Sequence, residues 1–330
     1  MPKISVIMPA YNAEKYIAEA MDSILNQTFR DFEFIILNDC SKDRTEEIIL
    51  SYDDPRIVYV KNEENMGVAR TLNRGLDMAK GEYIARMDAD DISLPERFEK
   101  QVAYLDANAD IAVLGTNIEL FTDKKSLGFR EFSHNPELMA LDMFFSCGVA
   151  HPSVMMRTNV IQNLGGYAPE FNGLEDYELW CRVLEHYNIT TLPDILLQYR
   201  IHGNQVTKNP SPRHQELQQQ LKIRQIQQLG MDSDNAEAFF LFCKGEKPNT
   251  AEKIAELDAF FTLADEANTK IQFYNTDKLR ATFCTVILSS AVAIPKTEQK
   301  QLVSKCRFLT KRDLFSHSLK FNIKKLLGRN

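Results

Sequence analysis

Glu82-Tyr83-Ile84-Ala85-Arg86-Met87-Asp88-Ala89-Asp90-Asp91 joins an apolar, β-prone run to three carboxylates within four positions. Acids gathered at the end of a buried strand repel one another unless a cation or a hydrogen-bonded ligand compensates them. The stretch therefore reads as a strand of an interior sheet that ends in a metal site built to face a charged substrate. Capping of the following helix accounts for Asp91 alone but not for three acids, because Ser93-Leu94-Pro95-Glu96 already reads as a capping box with proline at the first helical position.

Upstream, strands and helices alternate. Ile4-Ser5-Val6-Ile7-Met8 is a β-branched run stopped by Pro9, and Ile17, Met21, Ile24 and Leu25 recur at helical spacing. Phe32-Glu33-Phe34-Ile35-Ile36-Leu37 and Ile57-Val58-Tyr59-Val60 are further strands, with helices over residues 43–52 and 68–79. This alternation predicts an α/β fold with a mostly parallel, Rossmann-like central sheet and helices on both faces. Right-handed crossovers place the loops after each strand on one edge, where ligands bind, and Tyr11, Asp39 and the aspartates all fall there.

Downstream, a helix is expected from Ser93 to about residue 108, then a mixed region with strands over 112–121, 154–157 and 195–202. Asn209-Pro210-Ser211-Pro212 reads as a linker. The remainder reads as a helical extension, opening with a Gln-rich segment over residues 214–229.

A length of 330 residues, 44% hydrophobic and 26% charged, suits a folded chain with a large core. The net charge of −7 argues against general nucleic-acid binding. The six cysteines form no CxxC pair, so neither a zinc site nor a disulfide framework is expected. The N-terminus shows no signal peptide and the longest apolar run is too short to span a bilayer, which predicts a cytoplasmic location.

Three more constellations carry chemistry. Leu37-Asn38-Asp39-Cys40-Ser41 puts a carboxylate at a strand end, where it could accept the N3–H of a pyrimidine or serve as a helix cap. Leu174-Glu175-Asp176-Tyr177 opens a helix with two acids, suited either to a general base near an acceptor hydroxyl or to the helix dipole. Trp180, one turn on, could face a sugar ring or fill the core. In Gln198-Tyr199-Arg200-Ile201-His202, His202 is a candidate metal ligand and Arg200 a counter-charge, with a structural histidine as the alternative. His151 has the same two readings.

Taken in order, these stretches resemble the family 2 glycosyltransferases of the GT-A fold. The likeness runs from Ile4–Asn12 through Asn38-Asp39, Asn65-Met66-Gly67, Leu72-Asn73-Arg74-Gly75-Leu76, the aspartate stretch, Leu94-Pro95-Glu96-Arg97, His151-Pro152-Ser153 and Glu175-Asp176, over residues 3–205. It implies a nucleotide-sugar donor, a UDP-sugar by preference, and inversion at the anomeric carbon. It implies that Pro9, Ala10 and Tyr11 border the base and ribose, and that Asp39 binds the pyrimidine. Asp88 would hold the ribose or metal, and Asp90 the Mn2+ or Mg2+ ion. Asp176 would be the base, with Glu175 beside it. Two departures stand out: Asn38-Asp39-Cys40-Ser41 replaces the usual Asp-Asp-Gly-Ser, and Leu72 stands where many members carry arginine, leaving Arg70 near Asn65 as the candidate substitute.

On this likeness residues 1–110 form the nucleotide-sugar-binding half, 111–208 the acceptor-binding half and 209–330 the helical extension. The absence of a Gln-x-x-Arg-Trp motif favours transfer of a single sugar. The acceptor implied is a glycan or a lipid-linked glycan of bacterial surface-polysaccharide assembly. Phe315, Leu319, Ile323, Leu326 and Leu327, interleaved with lysines, suggest a basic helix that either contacts the inner membrane face or packs on the rest of the protein with its basic face solvated. A second copy of the chain is a candidate partner for the Gln-rich helix. The other readings are a nucleotide-sugar-binding scaffold on an inactive transferase fold and a nucleotidyltransferase, the latter disfavoured because Pro9-Ala10-Tyr11-Asn12 is no phosphate loop.

Overall fold

The computed structural model describes residues 1–203, 211–234, 236–302 and 305–308. In chain order it contains β1 (Ile4–Ala10), α1 (Ile17–Leu25), β2 (Phe32–Asn38), α2 (Thr45–Leu50), β3 (Ile57–Lys61), α3 (Val68–Met78), β4 (Tyr83–Arg86), β5 (Ile92–Ser93) and α4 (Arg97–Ala107). There follow β6 (Ile111–Thr122), β7 (Lys125–Arg130), α5 (Pro136–Phe145), β8 (Met155–Arg157), α6 (Thr158–Asn163), α7 (Glu175–Val183) and β9 (Asn188–Arg200). The last helices are α8 (Pro212–Gln228), α9 (Glu237–Cys243), α10 (Ala251–Ile271), α11 (Thr276–Ala291) and α12 (Lys296–Leu302).

Continuous apolar runs in β1, β2 and β4 are explained by burial on both faces: Ile4, Val6, Met8, Phe34, Ile35, Ile36, Leu37, Tyr83 and Ala85 are all inaccessible to solvent. The strands lie in the order β3-β2-β1-β4-β8-β6-β9-β5, with β7 paired to β6. β3, β2, β1 and β4 are parallel neighbours. β8 then runs antiparallel to both β4 and β6, β9 is parallel to β6, and β5 is antiparallel to β9. The expected parallel half is present, and the region after it is mixed as its sequence suggested. Because β1, β2 and β4 point the same way, Tyr11, Asp39 and Asp88 leave the sheet at one edge. Close packing of α3 on β1 requires Gly75, where a Cβ would lie 2.6 Å from Ile7 Cγ2.

The capping box at Ser93 is not formed. α4 starts at Arg97, with Glu96 at its N-cap position and no side-chain cap. Ser93 instead belongs to β5, opposite Leu197, and its Oγ accepts from Gln27 Nε2 at 3.1 Å. A tertiary partner has taken the hydroxyl that local sequence assigned to a helix start. β9 also begins earlier than its predicted strand, at Asn188.

The chain divides into two compact units, Met1–Met139 with Cys147–Gln215, and Ala140–Ser146 with Glu216–Asn330. Within the second, Phe239 stacks on Phe144 and Phe260 with centroids 4.7 and 4.6 Å apart, and Phe261 stacks on Phe283 at 4.1 Å. Two buried polar side chains of α8 cap the end of α5: Lys222 Nζ donates to the Phe144 carbonyl at 2.6 Å and Gln225 Nε2 to that of Met143 at 2.8 Å. Among the described residues no helix is long and apolar enough to cross a membrane. The proposed basic helix from Phe315 lies outside the described residues, as do Asn209 and Pro210 of the predicted linker.

Candidate active site

The β4 edge gathers the acids. One oxygen from each of Asp88, Asp90 and Asp91 can be chosen so that all lie within 4.8 Å of one another. Asp91 is buried; its Oδ1 accepts from the Arg200 backbone N–H at 2.8 Å, while its Oδ2 is buried with no hydrogen-bond partner among the described residues. Burial, then the neighbouring acids, pushes the Asp91 carboxyl well above the usual range, and Asp90 is raised for the same reasons. His202 Nε2 lies 2.8 Å from Asp90 Oδ2. Hard carboxylate oxygens with one imidazole and an orphaned buried oxygen form a donor set that fits a divalent cation of the Mg2+ or Mn2+ kind.

Arg200, at the end of β9, fixes this loop from behind. Its Nε donates to the Asp90 carbonyl at 2.7 Å and its Nη1 meets Asp123 Oδ1 at 2.6 Å, and Nη2 pairs with Glu19. The rings of Tyr16 and Phe121 each lie 4.4 Å from its guanidinium carbon. Its expected part as a counter-charge is thus combined with a structural one.

On the β1–β2 side, Asp39 is buried, with Oδ1 accepting from Met66 N at 2.8 Å and Asn62 Nδ2 at 2.7 Å, and Oδ2 from Gly67 N at 3.0 Å. It therefore organises the loop into α3. Asn62, buried after β3, is also gripped by Arg74, which donates to its Oδ1 at 2.5 Å. Pro9 and Ala10 end β1, and Tyr11 follows half exposed. Asn65 and Arg70 are exposed, and Arg70 makes no ion pair among the described residues. Cys40 takes a left-handed φ of 63°, which explains why glycine is the usual residue there.

The second pair of acids opens α7 as expected. Glu175 is 7% exposed and accepts from the Gly173 N–H; burial, with the Asp176 charge, pushes it up to about 7. Asp176 is half-buried, accepts from Tyr177 N at 2.7 Å through Oδ1 and from Cys147 Sγ at 3.8 Å through Oδ2, and is raised by burial. An acid raised toward neutrality is suited to taking a proton. Trp180 is fully buried and packs edge-on against His151 with centroids 5.9 Å apart, so both are core residues. His151 is held 2.8 Å from the Tyr167 hydroxyl, and burial keeps it well below its ordinary pKa.

Three residues with parts in this arrangement were not singled out by sequence reasoning. Asn62 and Asn73 act through loops: Asn73 donates to the Tyr167 carbonyl at 2.7 Å and accepts from its N–H at 2.8 Å. Arg86 read as one more strand residue, yet it is buried and ion-paired with Asp88. Only an arginine inside an otherwise apolar strand hinted at it.

A parallel nucleotide-type half with acids at its carboxyl edge, joined to a mixed half that supplies a carboxylate pair, is the arrangement of a GT-A glycosyltransferase. Comparison agrees: residues 5–164 match the glycosyl transferase family 2 model. An uncharacterized glycosyltransferase of Methanocaldococcus jannaschii is 38% identical over 210 residues, 61% of this chain and 71% of that protein. The O-antigen biosynthesis glycosyltransferase WbnJ of Escherichia coli is 37% identical over 214 residues, 62% of this chain and 82% of WbnJ. Among solved structures, S. aureus TarS 1-349 in complex with UDP-GlcNAc is similar in fold, with a TM-score of 0.56 at 19% identity, over 99% of this chain and 92% of that one. The chain belongs to glycosyl transferase family 2 and is a glycosyltransferase.

Proposed function

We propose that the protein moves one sugar, with inversion and metal dependence, from a UDP-sugar to a hydroxyl of a glycan or lipid-linked acceptor in surface-polysaccharide assembly. The observation that carries this reading is the Asp88–Asp90–Asp91 cluster with its orphaned oxygen on the edge that also bears Asp39. Support for the donor class comes from TarS, solved with UDP-GlcNAc, and for the pathway from WbnJ, named for O-antigen biosynthesis.

In this mechanism Asp39 keeps a lone pair of Oδ2 for the pyrimidine N3–H, and Pro9, Ala10 and Tyr11 border the base and ribose. Asn65 and Arg70, where the chain enters α3, serve the diphosphate. Asp90, Asp88 and His202 would hold Mn2+ or Mg2+, which when bound takes up negative charge on the leaving diphosphate. Asp176 accepts the proton of the acceptor hydroxyl, whose oxygen bonds to the anomeric carbon as the bond to the diphosphate oxygen breaks. Attack from the face opposite the leaving group inverts that carbon, and holding the two oxygens in line is the work of the cleft. Glu175 beside it places the acceptor.

The test is diphosphate release and sugar transfer by the purified chain with Mn2+, with and without chelator. Asp90→Ala loses metal-dependent donor turnover, and Asp176→Asn binds donor but loses at least about a hundredfold in transfer. Wild-type transfer by Asp176→Asn overturns the base assignment, and turnover indifferent to chelator overturns the metal.

A further inference from the structure

Arg86 is a buried cation beside the aspartate loop. Its backbone is held on both sides: its N–H donates to the Val154 carbonyl at 3.0 Å, and its carbonyl accepts from Arg97 Nη2 at 2.8 Å. The residue is 4% exposed. Its Nη1 is ion-paired with Asp88, and neither Nη1 nor Nε makes a regular hydrogen bond among the described residues. A buried N–H left unpaired is costly, so such groups call for an explanation. The same charge reaches the acceptor side: it opposes the upward shift of Glu175 and Asp176, and adds to burial in depressing His151. Arg86 thus lies within electrostatic reach of both the aspartate loop and the Glu175–Asp176 pair.

We infer that Arg86 reads the sugar of the donor, its guanidinium donating hydrogen bonds to hydroxyl oxygens of the transferred hexose between Asp88 and the Glu175–Asp176 pair. This rests on the nucleotide-sugar donor proposed above and adds the residue that selects among such donors. The sugar it selects is neutral. The carboxyl groups of Asp88, Asp90, Asp91, Glu175 and Asp176 outnumber the guanidinium groups of Arg86 and Arg200 near them, and an acidic sugar would add a further negative charge. A planar fork with fixed donor directions distinguishes hydroxyl configurations that a lysine ammonium cannot. A site built around a hydrogen bond to a hydroxyl also discriminates strongly against analogues that misplace it.

Isothermal titration of the full chain with Mn2+ tests this, using UDP, UDP-glucose, UDP-galactose, UDP-N-acetylglucosamine, UDP-N-acetylgalactosamine and UDP-glucuronate. The wild type is expected to prefer one neutral sugar by about tenfold or more. Arg86→Lys, which keeps a cation for Asp88, is expected to hold UDP within about threefold while compressing the spread among sugars to about threefold or less. Arg86→Gln provides the same comparison should the lysine variant melt early. If either folded variant keeps the wild-type ranking while every affinity shifts by one common factor, Arg86 only positions Asp88 and the inference fails. Tightest wild-type binding of UDP-glucuronate also overturns it. A wild-type chain that binds no UDP-sugar overturns the donor reading itself, a result distinct from unchanged selectivity in the variants.

Discussion

Glu175 shows how one residue's surroundings set both its chemistry and its cost. Its carboxyl is pushed from 4.5 up to about 7 by burial and the Asp176 charge, so between those values the folded chain holds a proton that the unfolded chain has released. Stability therefore falls as pH rises through this window. The contribution is fully present below about pH 4.5 and lost above about pH 7, and amounts to about 3 kcal/mol. Glu175→Gln removes this residue's share of the dependence. Its melting temperature is expected to exceed the wild type's at pH 8 and to match it or fall below it at pH 5, and a scan across both pH values checks this. Transfer is expected to weaken on acidification, since Asp176, the proposed base, is raised in the same direction and in that role must be ionised. Such shifts were not visible in Leu174-Glu175-Asp176-Tyr177, because two acids in a first turn look alike whether the helix is exposed or buried.

Elements were legible where burial leaves its own mark on the sequence. β1, β2 and β4 are covered on both faces and read as unbroken apolar runs, and the acids that end β4 marked its carboxyl edge. β7 was not anticipated: its residues are mostly exposed, so no alternation of apolar and polar positions betrays it. The start of α4 was misplaced because Ser93 has a better partner in Gln27 than the helix could offer. In the second unit, α5 relies on α8 for its last carbonyls. Lys222→Met leaves the Phe144 carbonyl without the ammonium 2.6 Å away and is expected to destabilise the helical unit by about 1–3 kcal/mol. Urea unfolding followed by far-ultraviolet dichroism measures the loss.

At the scale of the molecule, the aspartates, Asp39 and Glu175-Asp176 each stood out in the sequence, but where they lie relative to one another needed the sheet order. β4 pairs with β1 on one side and β8 on the other, and Arg86 comes within reach of residues about ninety positions later only through that pairing. Trp180 went to the core because its strand and helix neighbours close over it, a fact no local pattern carries. The proposed cation links this architecture to a simple observable. An ion that binds only the folded chain stabilises it by about 2.7 kcal/mol at a hundredfold excess over its dissociation constant. Mn2+ is therefore expected to raise the melting temperature of the wild type, chelator to reverse the rise, and Asp90→Ala to show none.

The grip of Arg200 on the Asp90 carbonyl and the Asp91 carboxylate has one more consequence. A loop tethered from behind does not readily let the carboxylates it carries spread apart to suit a wider guest. Calcium prefers oxygens at about 2.3–2.6 Å, against about 2.0–2.1 Å for magnesium, and tolerates irregular coordination only where its ligands can move. The chain should accordingly sort ions by radius, with Ca2+ giving little of the thermal shift that Mn2+ gives at the same concentration.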